Sequence, residues 1–206
     1  MKIGKSIAKS IDEASSGDLE SAMLHACNAV DGTAVKSYPT IQSNNLRFTK
    51  LLRDNYLTFG AMGAPGINLD QTRFPITVQR PKAPGGGTDI ADIIYGIHRC
   101  SHGHGAALPD GFELLADSAG PAERTTMQIE RGKIKLSDRV IFALLGVAVF
   151  APENVGEATP PGYYLTLGST HKFVINEWWG RRSEFEQIAN QIEMPSVIVD
   201  FTNWMI

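Results

Sequence analysis

Leu19, Ala22, Met23, Ala26, Val30 and Ala34 recur with the repeat of one face of an α-helix, and a chain carrying such a stripe has to bury it against other elements. The flanking sequence supplies the partners. Ile3, Ile7 and Ile11 mark a helix over residues 3–15, and Ser15-Ser16-Gly17-Asp18 breaks it and offers an N-cap for the next. The second helix should end before Tyr38-Pro39, because the residue preceding proline avoids helical angles. Asn44 to Phe59 predicts a third helix, with Leu46, Leu51, Leu52 and Tyr56 among its apolar positions. Thr88 is expected to cap a fourth that turns Ile90, Ile93, Ile94 and Ile97 to the core. Ser137-Asp138 opens a strongly apolar helix through Phe150, and residues 182–193 make a last amphipathic one.

Strand signals are fewer. Residues 60–87 are punctuated by glycine and proline, and one short strand, Pro75 to Gln79, is expected inside an ordered excursion. Its triple glycine, Gly85-Gly86-Gly87, lacks the following Lys-Ser/Thr of a phosphate loop. Met127 to Leu136 alternates around Arg131-Gly132 as a hairpin. Tyr163–Leu167 and Lys172–Ile175 read as two strands joined by Gly168-Ser169-Thr170, and Val197–Phe201 as a final strand. The pattern predicts a mainly α protein, a helical bundle with a small β-containing C-terminal addition, in a single domain over 1–206. The helical core covers about 1–110 plus 137–150, with β-containing elements at about 70–80 and 125–201.

Composition narrows the function classes. The formal charge of −3 argues against a surface coated with Lys and Arg that grips nucleic acid non-specifically, while a compact site for a few nucleotides needs only one or two arginines. Three basic groups, Arg47 with Lys50 and Arg53, Arg80 with Lys82, and Arg181 with Arg182, read as solvated faces. Two cysteines, Cys27 and Cys100, make no disulfide framework. The N-terminus lacks the apolar run of a secretory signal, and the longest apolar stretch, Val140 to Ala151, is too short to span a bilayer. A cytoplasmic protein with reduced thiols and no membrane partner is expected.

The chemistry concentrates in Arg99-Cys100-Ser101-His102-Gly103-His104, with His98 just before it. Three readings compete. His98 with His102, and Cys100 with His104, are four apart and could chelate a metal from a helix, but zinc sites usually draw on separated segments, no second Cys/His cluster exists, and the candidates His25 and Cys27 lie on another helix. Cys100 beside Arg99 and the histidines could be an activated thiol. An arginine–histidine pair could act on a phosphodiester, since guanidinium holds phosphate oxygens bidentately and imidazole exchanges protons near neutrality. Arg99 and His104 lie about 140° apart around an ideal helix, and Gly103 offers a place for the backbone to depart and bring them together. A helix C-terminus carrying histidines against the helix dipole accounts for the segment structurally. Trp178, Arg181 and Arg182 form a weaker nucleic-acid-binding candidate, and packing of a strand-to-helix corner explains the tryptophans as well.

Arginine, four residues, then histidine at the end of an apolar helix resembles the signature of the HEPN superfamily. The alanine-rich stretch from Leu24 to Ala34 is similar to the helix preceding that motif, and Leu108-Pro109 follows it as in bacterial proteins of this kind. The resemblance covers about the first 110 residues. It implies a dimerising helical bundle and metal-independent endoribonuclease activity, without a cofactor, often as a toxin or phage-defence effector. By position, Arg99 would hold the scissile phosphate and His104 would be the general acid or base, with His102, Cys100 and Ser101 in support. RNA, a second copy of the chain and an antitoxin or other defence protein are the implied partners. Cys100 departs from the pattern, since a polar residue commonly follows the arginine in active members. That departure favours a non-catalytic interaction module, such as an immunity protein, antitoxin or scaffold. A metal-dependent enzyme using the His98–His104 cluster is the third alternative.

Overall fold

The computed structural model describes residues 2–97, 111–117, 125–192 and 196–201. The architecture is mainly α with a small β-containing part. Helices α1 (Ile3–Ser16) and α2 (Leu19–Ser37) form an antiparallel hairpin. Gly17 ends α1 in the left-handed region at φ 89°, and its N–H donates to the Ala14 carbonyl. One residue on, the Asp18 carboxylate accepts the Ser21 N–H at 2.9 Å and starts α2. The predicted stripe of α2 is buried: Ala22, Met23, Ala26, Val30 and Ala34 are fully sequestered, together with Cys27. Small side chains let α1 and the later apolar helix α6 (Arg139–Phe150) pack on both sides of it.

The expected third helix is two helices, α3 (Asn44–Arg53) and α4 (Tyr56–Gly63). Asn55 breaks them. Its backbone turns to φ −125° and ψ 25°, and its side-chain amide donates to the Leu51 carbonyl at 2.7 Å. Asparagine competes with the backbone in this way, which an apolar count over the whole stretch does not register. α4 then packs against α6 through glycine. A Cβ on Gly63 would meet that of Ala143 at 2.7 Å, and one on Gly146 would meet Met62 Sδ at 2.4 Å.

The segment expected as a strand over Pro75–Gln79 alternates in burial, with Phe74 and Ile76 inside, yet it joins no ladder among the described residues. Pro75 and Pro81 lack N–H donors, and the segment's backbone ties are single bonds such as Gly132 N–H to the Pro75 carbonyl at 3.3 Å. Helix α5 (Ile90–Ile97) follows, its apolar face buried as predicted, packed on α3.

Strands β1 (Phe112–Leu115), β2 (Met127–Glu130) and β3 (Lys133–Ser137) form a sheet in the order β1-β3-β2. β2 and β3 are the predicted hairpin, turning at Gly132 with φ 73°; β1 pairs parallel to β3. α6 stops at Ala151, which precedes Pro152 and adopts extended angles. A second hairpin, β4 (Tyr164–Leu167) with β5 (His171–Val174), leads through the short helix α7 (Ile175–Trp178) into α8 (Arg182–Gln191). The final strand expected over Val197–Phe201 is reduced to one parallel bridge between Val197 and Ile67. No described helix is long and apolar enough to cross a membrane.

Candidate functional site

Arg53 ends α3 with its side chain turned inward, so the solvated-face reading of that residue is corrected. Its Nε and Nη2 grip Asp89 bidentately at 2.7 and 2.9 Å, and Nη2 lies 2.9 Å from Asp92 Oδ1. The three side chains are 12%, 2% and 1% exposed. Tyr56, on the first turn of α4, donates its hydroxyl to Asp89 Oδ2 at 2.9 Å. Asp89, not Thr88, caps α5: its carboxylate accepts the Asp92 N–H at 2.9 Å. Asp92 in turn accepts the backbone N–H groups of Lys82 and Ala83 at 2.8–2.9 Å, which moors the preceding loop.

Charge sets the protonation states. Burial pushes the Asp89 carboxyl up, but the Arg53 guanidinium, the Asp92 N–H and the Tyr56 hydroxyl outweigh it and hold the group below its ordinary value. Asp92 is raised, by burial first and then by the neighbouring negative Asp89. Tyr56 is raised by burial and by Asp89, so its phenol remains a donor. Burial alone would lower Arg53; the two aspartates more than reverse that and raise it. The cluster is a satisfied clamp that fixes the start of α5 against α3 and α4.

That helix runs toward the segment expected to carry the chemistry. Arg99, Cys100, Ser101, His102 and His104, with His98, lie outside the described residues. Arg99 is two residues beyond Ile97, the buried end of α5. The other sites named from sequence are described. Cys27 is fully buried and its thiol is pushed up by burial and by Asp31, which suits core packing. His25 is lowered by burial and by Lys9. Among the described residues no group of three or more His, Cys, Asp or Glu side chains could hold a metal ion.

Trp178 packs edge-on to Phe150 and Phe173, at 5.9 and 4.6 Å between ring centres, and the Arg181 guanidinium lies 4.5 Å from its ring. Arg181 also pairs with Glu184, and Arg182 lies 3.8 Å from Glu153. The pair Arg181–Trp178 is thus brought together as a cation–π contact at a packed corner, while Arg182 turns to a different partner.

A family model described as Rv1289 matches residues 2–205. The chain belongs to the Rv1289 family. Relatives within it include the uncharacterized proteins Rv1289 and MT1327 of two Mycobacterium tuberculosis strains and Mb1320 of Mycobacterium bovis, each 42% identical over 202 residues. The aligned region covers 98% of this chain and 94% of each relative. No solved structure matches. Sequence reasoning missed Asp89, Asp92 and Tyr56 in this Rv1289-family chain. The available signal was Asp89-x-x-Asp92 opening an apolar helix, since two carboxylates at a buried N-terminus demand a cation.

Proposed function

We propose that this Rv1289-family protein is a metal-independent endoribonuclease of the HEPN type, acting in the cytoplasm as a homodimer in a toxin or defence role. The observation that carries the reading is the Arg99-x4-His104 spacing directly after the buried apolar helix α5. A mainly helical fold is compatible with it. The clamp of Arg53 on Asp89 and Asp92 supports it further, because a motif at one end of a helix gains precision when the other end is fixed. In this reading Arg99 holds the scissile phosphate and His104 moves the proton between the ribose 2′-hydroxyl, solvent and the leaving 5′-oxygen.

Incubating the purified protein with RNA in EDTA tests it. Wild type should cleave, and Arg99→Ala and His104→Ala should each lose about a hundredfold or more in rate. Equal cleavage by all three proteins would remove the proposal. Cys100 motivates a second reading, a non-catalytic interaction module. Under that reading wild type does not cleave RNA, and expression causes no growth defect that His104→Ala relieves.

A further inference from the structure

A groove of about 880 Å³ lies between α1, α4, α6 and the segment entering β4. α6 is buried along its length except at Arg139 and Phe142, which are half-buried. Three residues apart, they share a face, and both line the groove. This largely buried helix is therefore open at one place, where an arginine and a phenylalanine line the groove.

The opposite wall is built to stay open. A Cβ on Gly4 would lie 2.0 Å from the Ala158 carbonyl oxygen, so the chain after Glu157 lies directly on α1. Glu157 accepts the Gly4 N–H at 3.2 Å and pairs with Lys36 at 2.9 Å. Asn176 takes the Thr159 N–H at 2.9 Å and returns a bond to the Thr159 carbonyl at 2.8 Å. Pro160-Pro161 stiffens the next stretch. Tyr163 then donates its hydroxyl to Asp12 Oδ1 at 2.8 Å, and Lys172 holds the rim ring of Tyr164 from 3.9 Å. These contacts fix a wall beside which Phe142, Tyr163 and Tyr164 keep aromatic surface open to solvent. Pre-formed concavity, aromatic walls and a few placed polar groups are the make-up of a small-molecule site.

We propose that this groove binds a small aromatic carboxylic acid whose ring carries an N–H or O–H donor. The acid group meets Arg139. That residue also interacts within the protein, but a guanidinium has five N–H donors. The ring lies among Phe142, Tyr163 and Tyr164, and Asp12, with lone pairs remaining beyond the Tyr163 bond, accepts the ring's donor. Met62 supplies a polarizable floor. This site is built from elements other than α5, so it stands whether or not RNA is cleaved.

Calorimetric titration of the full chain with indole-3-acetate tests the proposal, with indole lacking the acid and 1-methylindole-3-acetate lacking the donor. Saturable binding of indole-3-acetate is expected, with both analogues weaker. Arg139→Gln should weaken it about tenfold or more, the worth of one charge-assisted contact. Asp12→Asn, an exposed change that leaves the fold in place, should remove the preference over the N-methyl analogue. Melting curves show that each variant is folded. Absence of saturable binding at millimolar ligand overturns the proposal, as does binding that Asp12→Asn and Tyr163→Phe leave unchanged in affinity and in analogue preference.

Discussion

Two arginines near helix termini, Arg53 and Arg181, do opposite kinds of work. Arg53 is 12% exposed and faces two carboxylates that are almost completely enclosed, while Arg181 is 42% exposed and pairs with Glu184 over the Trp178 ring. Both make bidentate contacts with a carboxylate. The difference is what remains when the arginine goes. Around Arg53, two aspartates are left charged in a place that water hardly reaches; around Arg181, solvent takes over. An ion pair's value to the fold lies in the desolvation of its partner rather than in its geometry.

Arg53→Ala should cost about 3–5 kcal/mol in denaturant unfolding, the usual cost of stranding a buried charge. A loss similar to that of an exposed pair would mean that water reaches the clamp. Acid comes next. Asp89 is held below its ordinary 3.8, so its contribution is complete above that value and disappears as pH falls through the lower folded value. Asp92 is raised, so its ionised form opposes folding, and acid relieves that penalty first. Urea unfolding across the acidic range should therefore show a shallow rise in stability, then a fall. In Asp89→Asn the fall should flatten. Tyr56→Phe, which removes one hydroxyl from Asp89, should cost about 1–2 kcal/mol in the same unfolding measurement. Arg181→Ala should leave the unfolding midpoint within experimental scatter; a clear drop would erase the contrast.

The fold was legible where the chain follows one period and a marked stop. α1, α2 and α6 follow from apolar repeats closed by Gly17, Tyr38-Pro39 and Pro152, α8 from its amphipathic repeat, and both hairpins from strand signals around glycine. It was illegible where one residue overrules its neighbours. Asn55 splits a stretch whose apolar spacing continues through it. Phe74 and Ile76 alternate in burial as a strand would, but a ladder needs a neighbour, which local sequence does not specify. Asp89 displaced Thr88 as the cap because it serves Arg53 and Tyr56 at once. The clamp is illegible in the sequence for the same reason: Arg47, Lys50 and Arg53 share a helix, and only the position of α5 turns the last of them inward. Of the proposed nuclease site, sequence alone supplies the Arg99–His104 spacing.

Arg53 and Asp89 act as one unit to fix the start of α5. A double-mutant cycle with Arg53→Ala, Asp89→Ala and the double variant measures it directly. The clamp predicts that the double variant is more stable than the two single losses add up to, by about 1–3 kcal/mol. Additive losses would contradict it.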